Sequence, residues 1–231
     1  MQAKDSCIYF AEVSALEDDA LYSAALAQIP AQRRGKIDRL RFREDRCLSL
    51  GAGLLLQRAL ADAGLPCDPV IAAGEHGKPY LPEHSAFHFN LSHSGRVVAC
   101  AVSSREIGCD VQLVERYNAQ LATRFFSAEE NALLKAQPTP AQEATAFFRL
   151  WTLKESYLKA RGCGLSMPLN SFTVLLAPAA PLRDENGVLW ALYELPFFEG
   201  CCCACCIRAD KESAPPTVRH IDFSSDFCGS R

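Results

Sequence analysis

The sequence lacks the recurrent signatures of nucleotide-binding and hydrolytic enzymes. No G-x-G-x-x-G, Walker A, H-E-x-x-H or G-x-S-x-G pattern occurs, which argues against the common dinucleotide, P-loop, zinc-protease and serine-hydrolase chemistries. No run of about 18 apolar residues occurs, so no membrane span is expected. No large excess of one charge exists either. The net charge of −3 and the 9% aromatic content argue against a surface dedicated to gripping nucleic acid. The start, Met1-Gln2-Ala3-Lys4-Asp5-Ser6, lacks a basic region followed by an apolar core, so no secretory leader is expected. With 49% hydrophobic and 22% charged residues, disorder, collagen and coiled coil are disfavoured. The 231 residues suit one large domain or two small ones. What the chain has in excess is cysteine, 12 in all. That count suggests a disulfide scaffold only in a small secreted domain. The expectation here is a reduced cytoplasmic protein with free thiols.

Hydrophobic periodicity predicts a short helix from about Glu17 to Gln28, ended by Pro30, and a long helix from about Phe42 to Ala63 with Gly64 beyond its end. Gly51 and Gly53 inside that helix imply close backbone packing. Three strands follow. Phe87, Phe89 and Leu91 alternate with His88, Asn90 and Ser92; Ser94-Gly95 marks a hairpin turn; Val97 to Val102 is apolar throughout. Ile107, Cys109, Val111 and Leu113 then alternate with Gly108, Asp110 and Gln112, so the polar face of this strand looks at something wet or ionic. Ser127-Ala128-Glu129-Glu130 and Thr139-Pro140-Ala141-Gln142 are helix-opening patterns, the second leading a helix through Trp151, Glu155 and Lys159 to Gly162. Strands are expected at Ser171 to Leu176, Val188 to Leu195 and Gly200 to Ile207, with a frayed polar remainder from Arg208. Each half is thus a long helix followed by strands. This order predicts two similar α+β lobes with a boundary near Ile107 to Gln120, taken as 1–107 and 108–210, with a polar tail at 211–231.

Four groups of residues could carry chemistry. Asp110 and Glu155 together suit Mg²⁺, which takes one or two protein carboxylates within an octahedral oxygen shell. The alternative is a solvated aspartate and an i,i+4 pair between Glu155 and Lys159, worth about 0.3–0.5 kcal/mol. Lys159, Lys78 and His93 could hold a polyphosphate beside such a metal, although each alone is an ordinary surface or structural residue. The basic run Arg33, Arg34, Lys36, Arg39, Arg41, Arg43 and Arg46 is either a solvated helix face or a local site for a small phosphorylated ligand or an acidic protein. Finally, Cys201-Cys202-Cys203-Ala204-Cys205-Cys206 lacks the spaced, paired ligands of a metal knuckle. It reads as a buried strand of small apolar residues, with a non-catalytic metal- or redox-responsive module as the rival.

Two stretches together, Ile107-Gly108-Cys109-Asp110-Val111-Gln112 and Trp151-Thr152-Leu153-Lys154-Glu155-Ser156-Tyr157-Leu158-Lys159, resemble the paired signatures of 4′-phosphopantetheinyl transferases. Phe89-Asn90-Leu91-Ser92-His93-Ser94, Gly77-Lys78-Pro79 and the basic segment leading into Phe42-Arg43-Glu44-Asp45 resemble further motifs of that family, in the same order. The resemblance spans about Arg33 to Phe172, and the length is similar to the long, surfactin-synthetase-activating type. It implies a monomeric α+β pseudo-dimer of the two lobes with the active site in the cleft between them. It implies transfer of the phosphopantetheine arm of coenzyme A to a serine of an apo acyl or peptidyl carrier protein, with release of adenosine 3′,5′-bisphosphate. The implied metal is Mg²⁺, with Mn²⁺ as a substitute, on Asp110, Gln112 and Glu155. Glu155, Lys159 and Asp110 are the implied catalytic residues. Arg33, Lys36, Ser49, Lys78, Ser92, His93 and Lys159 are the implied contacts to coenzyme A. Glu130 matches a family acid near the metal but is equally a helix cap. Many long members carry a third acid where this chain has Gln112. A basic, partly apolar rim near Arg116, Tyr117 or Arg124 is the expected carrier surface. No nucleic acid or membrane partner is expected.

Overall fold

A computed structural model describes residues 6–177, 179–195, 198–209 and 214–226. Two four-stranded sheets, each carrying one long helix, form the molecule. In the first lobe β1 (Cys7–Glu12) precedes helices α1 (Asp19–Gln28), α2 (Ala31–Asp38) and α3 (Arg43–Asp62). A two-residue ribbon follows, β2 (Ala72–Ala73) with β3 (Pro79–Tyr80), and then the hairpin β4 (His88–Ser94) and β5 (Val97–Ser103). The second lobe has β6 (Ile107–Leu113), α4 (Ala119–Phe125), α5 (Ala128–Lys135), α6 (Pro140–Arg161), β7 (Ala179–Arg183), β8 (Leu189–Glu194) and β9 (Cys201–Arg208). Strand β1 pairs with β5 and β5 with β4; β6 pairs with β9 and β9 with β8. In both lobes the strand before the long helix pairs with the last strand of the hairpin after it. This is the two-lobe α+β arrangement that the order of elements predicts.

Each helix buries one stripe against its sheet. Leu50, Leu54 and Leu55 of α3 pack with Val98, Cys100 and Val102 of β5, and Leu150, Leu153 and Tyr157 of α6 pack with Leu192, Ala204 and Cys206. A third core, with Val97, Ala99 and Ala101 facing Cys109, Val111, Cys203 and Cys205, joins the lobes. This explains why β5 is apolar from Val97 to Val102: one face serves its own helix and the other serves the second lobe.

The lobes are also joined by a polar comb. Asn90, Ser92 and Ser94 stand at alternate positions of β4. Their side-chain oxygens accept the backbone N–H groups of Cys109, Val111 and Leu113 at 2.9, 3.2 and 3.0 Å. The open edge of β6 is therefore satisfied by side chains instead of a neighbouring strand.

Three expectations need correction. No strand forms over Ser171 to Leu176. The chain there passes through a short 3₁₀ turn, Leu169–Ser171, and wraps a buried ion pair. Lys154 Nζ lies 2.9 Å from Glu130 Oε2, with the two side chains 0% and 1% exposed, and donates to the carbonyls of Leu169 and Phe172 at 2.7 and 2.6 Å. Glu130 also accepts from the N–H groups of Ser127 and Val174 at 2.8 Å each. The segment's polar groups thus go to a charge pair, not to a ladder. Removing one partner strands the other in the core, so Lys154→Ala is expected to cost about 3 kcal/mol in urea unfolding. A loss below about 1 kcal/mol would contradict this role.

Second, the stretch beyond Arg208 is not simply frayed. Residues Thr217–His220 form β10, parallel to β1, and Ile221 and Phe223 are buried against the first core, the latter in a short helix, α7 (Phe223–Asp226). All four side chains of β10 are exposed, so no alternation marks it in sequence. Third, α2 and α4 form where the sequence reading placed no helix. Pro30 ends α1 as expected, but also stands at the N-cap of α2. Residues 210–213 and 227–231 of the expected tail lie outside the described residues.

Candidate active site

Gly108 decides how the site assembles. A β-carbon at this position would lie 2.2 Å from the Ser156 carbonyl oxygen and 2.3 Å from the Ala160 nitrogen. Helix α6 therefore rests its backbone directly on β6. That contact brings Glu155 and Lys159, one helical turn apart, over the polar face of β6, where Asp110 projects.

Asp110 is 2% exposed. Its Oδ1 receives Lys159 Nζ at 2.5 Å and the Ser92 hydroxyl at 2.9 Å, and its Oδ2 receives the Gln112 amide at 3.2 Å. Ser92 Oγ also accepts from Lys159 at 3.1 Å. Strand β4, strand β6 and helix α6 thus meet in one network. Burial is the largest single influence on Lys159 and acts to lower its pKa, but the Asp110 charge and hydrogen bond, together with Cys109 and Glu155, outweigh it and hold the ammonium above its ordinary value. Glu155 lies half-buried in the same cleft and makes no hydrogen bond or ion pair among the described residues. Burial and the neighbouring Asp110 charge raise its carboxyl, with Lys159 opposing.

The cleft holds about 840 Å³ and is lined by Ser92, His93, Asp110, Gln112, Glu155 and Lys159, together with Arg124, Phe125, Trp151, Met167 and Pro168. His93 is exposed where it lines the cleft. The lobe walls and the Lys159 charge lower its pKa. A smaller cavity, joined through Lys159 and Glu155, contains Gly77, Lys78 and Pro79. Another, of about 320 Å³, shares Leu91 with the main cleft and holds Arg33 and Lys36. Of the residues singled out in sequence, Ser92, His93, Asp110, Gln112, Glu155 and Lys159 come together, with Arg33 and Lys36 in the adjoining cavity. Ser49 lines none of these cavities, but its carbonyl accepts from Arg33 Nη2 at 3.0 Å. Lys78 is half-buried with its ammonium turned into the protein. It donates to the carbonyls of Ile107 and Ala160 at 3.1 and 2.5 Å, and burial pushes its pKa down to about 8.

Of the two roles open to Glu130, the helix cap is the one formed: it closes a capping box with Ser127 and pairs with Lys154 in the core, and it does not line the cleft. Tyr117 stacks on Phe147, bonds to Glu143, and together with Arg116 lines a separate pocket; of the expected rim residues, Arg124 alone is at the cleft. The sequence reading missed Trp151 and Phe125. The signal was present for Trp151, which precedes Glu155 by four residues and shares its helical face.

The donor set fits a hard divalent cation. Two carboxylates of unlike environment face one cleft, Glu155 has a free carboxylate, and the Gln112 amide sits beside Asp110. Lys159 and His93 add nitrogen donors for phosphate oxygens. The thiols stand apart. Cys109, Cys203, Cys205 and Cys206 are wholly buried and their pKa values are raised by burial, and no group of three or more His, Cys, Asp or Glu able to hold a metal occurs among the described residues. No described helix is long and apolar enough to cross a membrane.

Comparison with known proteins agrees with this geometry. Residues 106–206 match the 4′-phosphopantetheinyl transferase superfamily, and residues 17–105 match the family described as 4′-phosphopantetheinyl transferase, N-terminal. A 4′-phosphopantetheinyl transferase of Bacillus subtilis is 40% identical over 214 residues, covering 91% of this chain and 89% of that one. The 4′-phosphopantetheinyl transferase Sfp of Bacillus subtilis strain 168 is 38% identical over 151 residues, covering 64% and 66%. The 4′-phosphopantetheinyl transferase HetI of a Nostoc species is 38% identical over 134 residues, covering 55% and 56%.

Proposed function

Since this chain belongs to the 4′-phosphopantetheinyl transferase family, we propose that its inter-lobe cleft transfers the phosphopantetheine arm of coenzyme A to a serine of an apo acyl or peptidyl carrier protein. The observation that carries this reading is the convergence of Asp110, Glu155, Lys159 and Ser92 in a single cleft that continues toward Arg33 and Lys36. The serine oxygen attacks the phosphorus that bears the pantetheine arm. The bond to the bridging pyrophosphate oxygen breaks, and adenosine 3′,5′-bisphosphate leaves with that oxygen.

Asp110 and Glu155, with Gln112 beside them, would hold Mg²⁺ or Mn²⁺. The ion's contribution when bound is to neutralise charge on the pyrophosphate and the leaving phosphate. Lys159, oriented by Asp110 and Ser92, donates to a pyrophosphate oxygen. Glu155 takes the proton from the carrier serine Oγ. His93, Arg33 and Lys36 bind the nucleotide phosphates, and Ser49 acts by holding Arg33. Lys78 contributes by fixing the Gly77-Lys78-Pro79 turn against the end of α6, with its ammonium facing the carbonyls there. Arg124, Phe125 and Trp151 offer the carrier a basic and aromatic rim. The protein works as a monomer, since both lobes that wall the cleft come from one chain.

The test is direct. Purified protein with coenzyme A and Mg²⁺ should add the phosphopantetheine mass to apo carriers in intact-protein mass spectrometry, and EDTA should stop it. No mass gain on several unrelated apo carriers would overturn the reading. Gln112 allows a finer test. An amide supplies no charge, so Gln112→Glu is expected to tighten Mg²⁺ on the order of tenfold in calorimetric titration. Unchanged affinity would show that residue 112 does not reach the ion.

A further inference from the structure

We propose that Gly53 is a positioning residue for substrate binding: its missing side chain is the slot that holds the Arg33 guanidinium at the wall of the cavity that adjoins the cleft. This rests on the reading that Arg33 binds the phosphorylated end of coenzyme A. Helix α2 crosses α3 with Arg33 laid over the turn from Ser49 to Gly53. Arg33 Nη2 donates to the Ser49 carbonyl at 3.0 Å, the same carbonyl that receives the Gly53 N–H in a regular helix. A β-carbon on residue 53 would lie 2.5 Å from Arg33 Nε, 3.0 Å from Arg33 Cδ and 3.0 Å from Ile29 Cδ1. No other residue type leaves that space.

The guanidinium held there is unbalanced. Arg33 Nε is buried without a hydrogen-bond partner, and no carboxylate lies within 4.0 Å of Arg33 among the described residues. Burial lowers its pKa, and the opposing influence is the Cys100 thiol, not a carboxylate. Arg33 is partly buried, and a guanidinium with one nitrogen buried and unpaired and no carboxylate beside it is costly. It is retained beside a cavity that also holds the exposed Lys36, where an anionic ligand would complete it. Glycine in mid-helix has its own cost relative to alanine. The slot therefore sacrifices helix stability to place a charge.

The clash in Gly53→Ala is with a flexible side chain, so the expected relief is displacement of Arg33 while the protein stays folded. Binding of coenzyme A and of adenosine 3′,5′-bisphosphate to the full chain, followed by isothermal titration calorimetry, tests this together with steady-state transfer. Gly53→Ala is expected to weaken both ligands by about tenfold to a hundredfold, to raise KM for coenzyme A far more than it lowers kcat, and to leave the melting temperature no lower. Arg33→Ala should show the same loss, and the double variant should add nothing to it. Gly35→Ala, at a position with nothing within 4 Å, is the control and should bind as the unmodified chain does. If Arg33→Ala weakens binding and Gly53→Ala does not, the slot is refuted. If the loss in the double variant is the sum of the two, Gly53 acts elsewhere and the proposal is also refuted. If the unmodified chain binds neither ligand, it is the proposed function that fails.

Discussion

Gly108→Ala is expected to abolish transfer and to destabilise the chain by more than about 4 kcal/mol. Small-to-large changes in a packed interior usually cost about 1–3 kcal/mol, because side chains shift to make room. Here the new methyl meets the backbone of α6 at Ser156, Lys159 and Ala160, with nothing flexible to move. Either the helix lifts from β6 or the strand bends. Both responses separate Glu155 and Lys159 from Asp110, and both open the core in which Leu150, Leu153 and Tyr157 are buried. Circular dichroism in urea would measure the loss, and coenzyme A titration of whatever folded fraction remains would measure the site. A variant that melts like the unmodified chain would show that α6 does not rest on β6 as described.

Asp110→Asn is expected to lower kcat/KM for transfer by about 10³-fold while the fold persists. The substitution keeps the shape, and the new amide can still accept from Ser92 and Lys159. It removes the charge that orders Lys159, and it leaves Glu155 as the single carboxylate at the cleft. Lys159 is 29% exposed, so its ammonium can turn to water and the stability loss stays modest. Glu155→Gln should match it in transfer and cost still less stability, because the Glu155 side chain is unpaired among the described residues. Time courses of carrier modification by mass spectrometry, beside thermal melts, separate the two effects. Transfer within tenfold of the unmodified chain in either variant would overturn the assigned roles.

The two predictions differ in how far the sequence anticipated them. Asp110 stood out because it is a charge on an otherwise apolar strand. Glu155 and Lys159 stood out in the resembling motif around them. The importance of Gly108 was invisible, since the strand pattern showed only that it shares a face with Asp110. What it meets is a helix about fifty residues away in sequence, and no local pattern encodes that approach. Gly51 and Gly53 were legible as close contacts for the opposite reason: glycine in a long helix has a local cost that calls for a local cause. Even there, the partner of Gly53, an arginine from the preceding helix, had to be seen.

The polar face of β4 divides in the same way. Alternation correctly placed Asn90 and Ser92 on one side of the strand. Their task, capping the N–H groups of β6, depends on where the second lobe docks. Lys154 and Lys78 show the limit most clearly. Both are lysines near catalytic motifs, and both turn their ammonium groups into the protein, onto Glu130 and loop carbonyls in one case and onto the Ile107 and Ala160 carbonyls in the other. A lysine has a long, flexible stem, so its sequence position leaves its charge free within several ångströms.

By itself the amino-acid sequence determined the two long helices and most of the strands around them, the family resemblance, the cysteine-rich strand as core and the charged residues of the cleft, because periodicity and motif spacing are local properties of the chain. The tertiary structure alone decided the rest: which charges are spent inside the protein, that the last strand returns to the first lobe, and that two glycines set the distances in the cleft and the cavity that adjoins it. Those outcomes depend on contacts between segments far apart in sequence, where a few ångströms separate a bound ligand's partner from a buried strut.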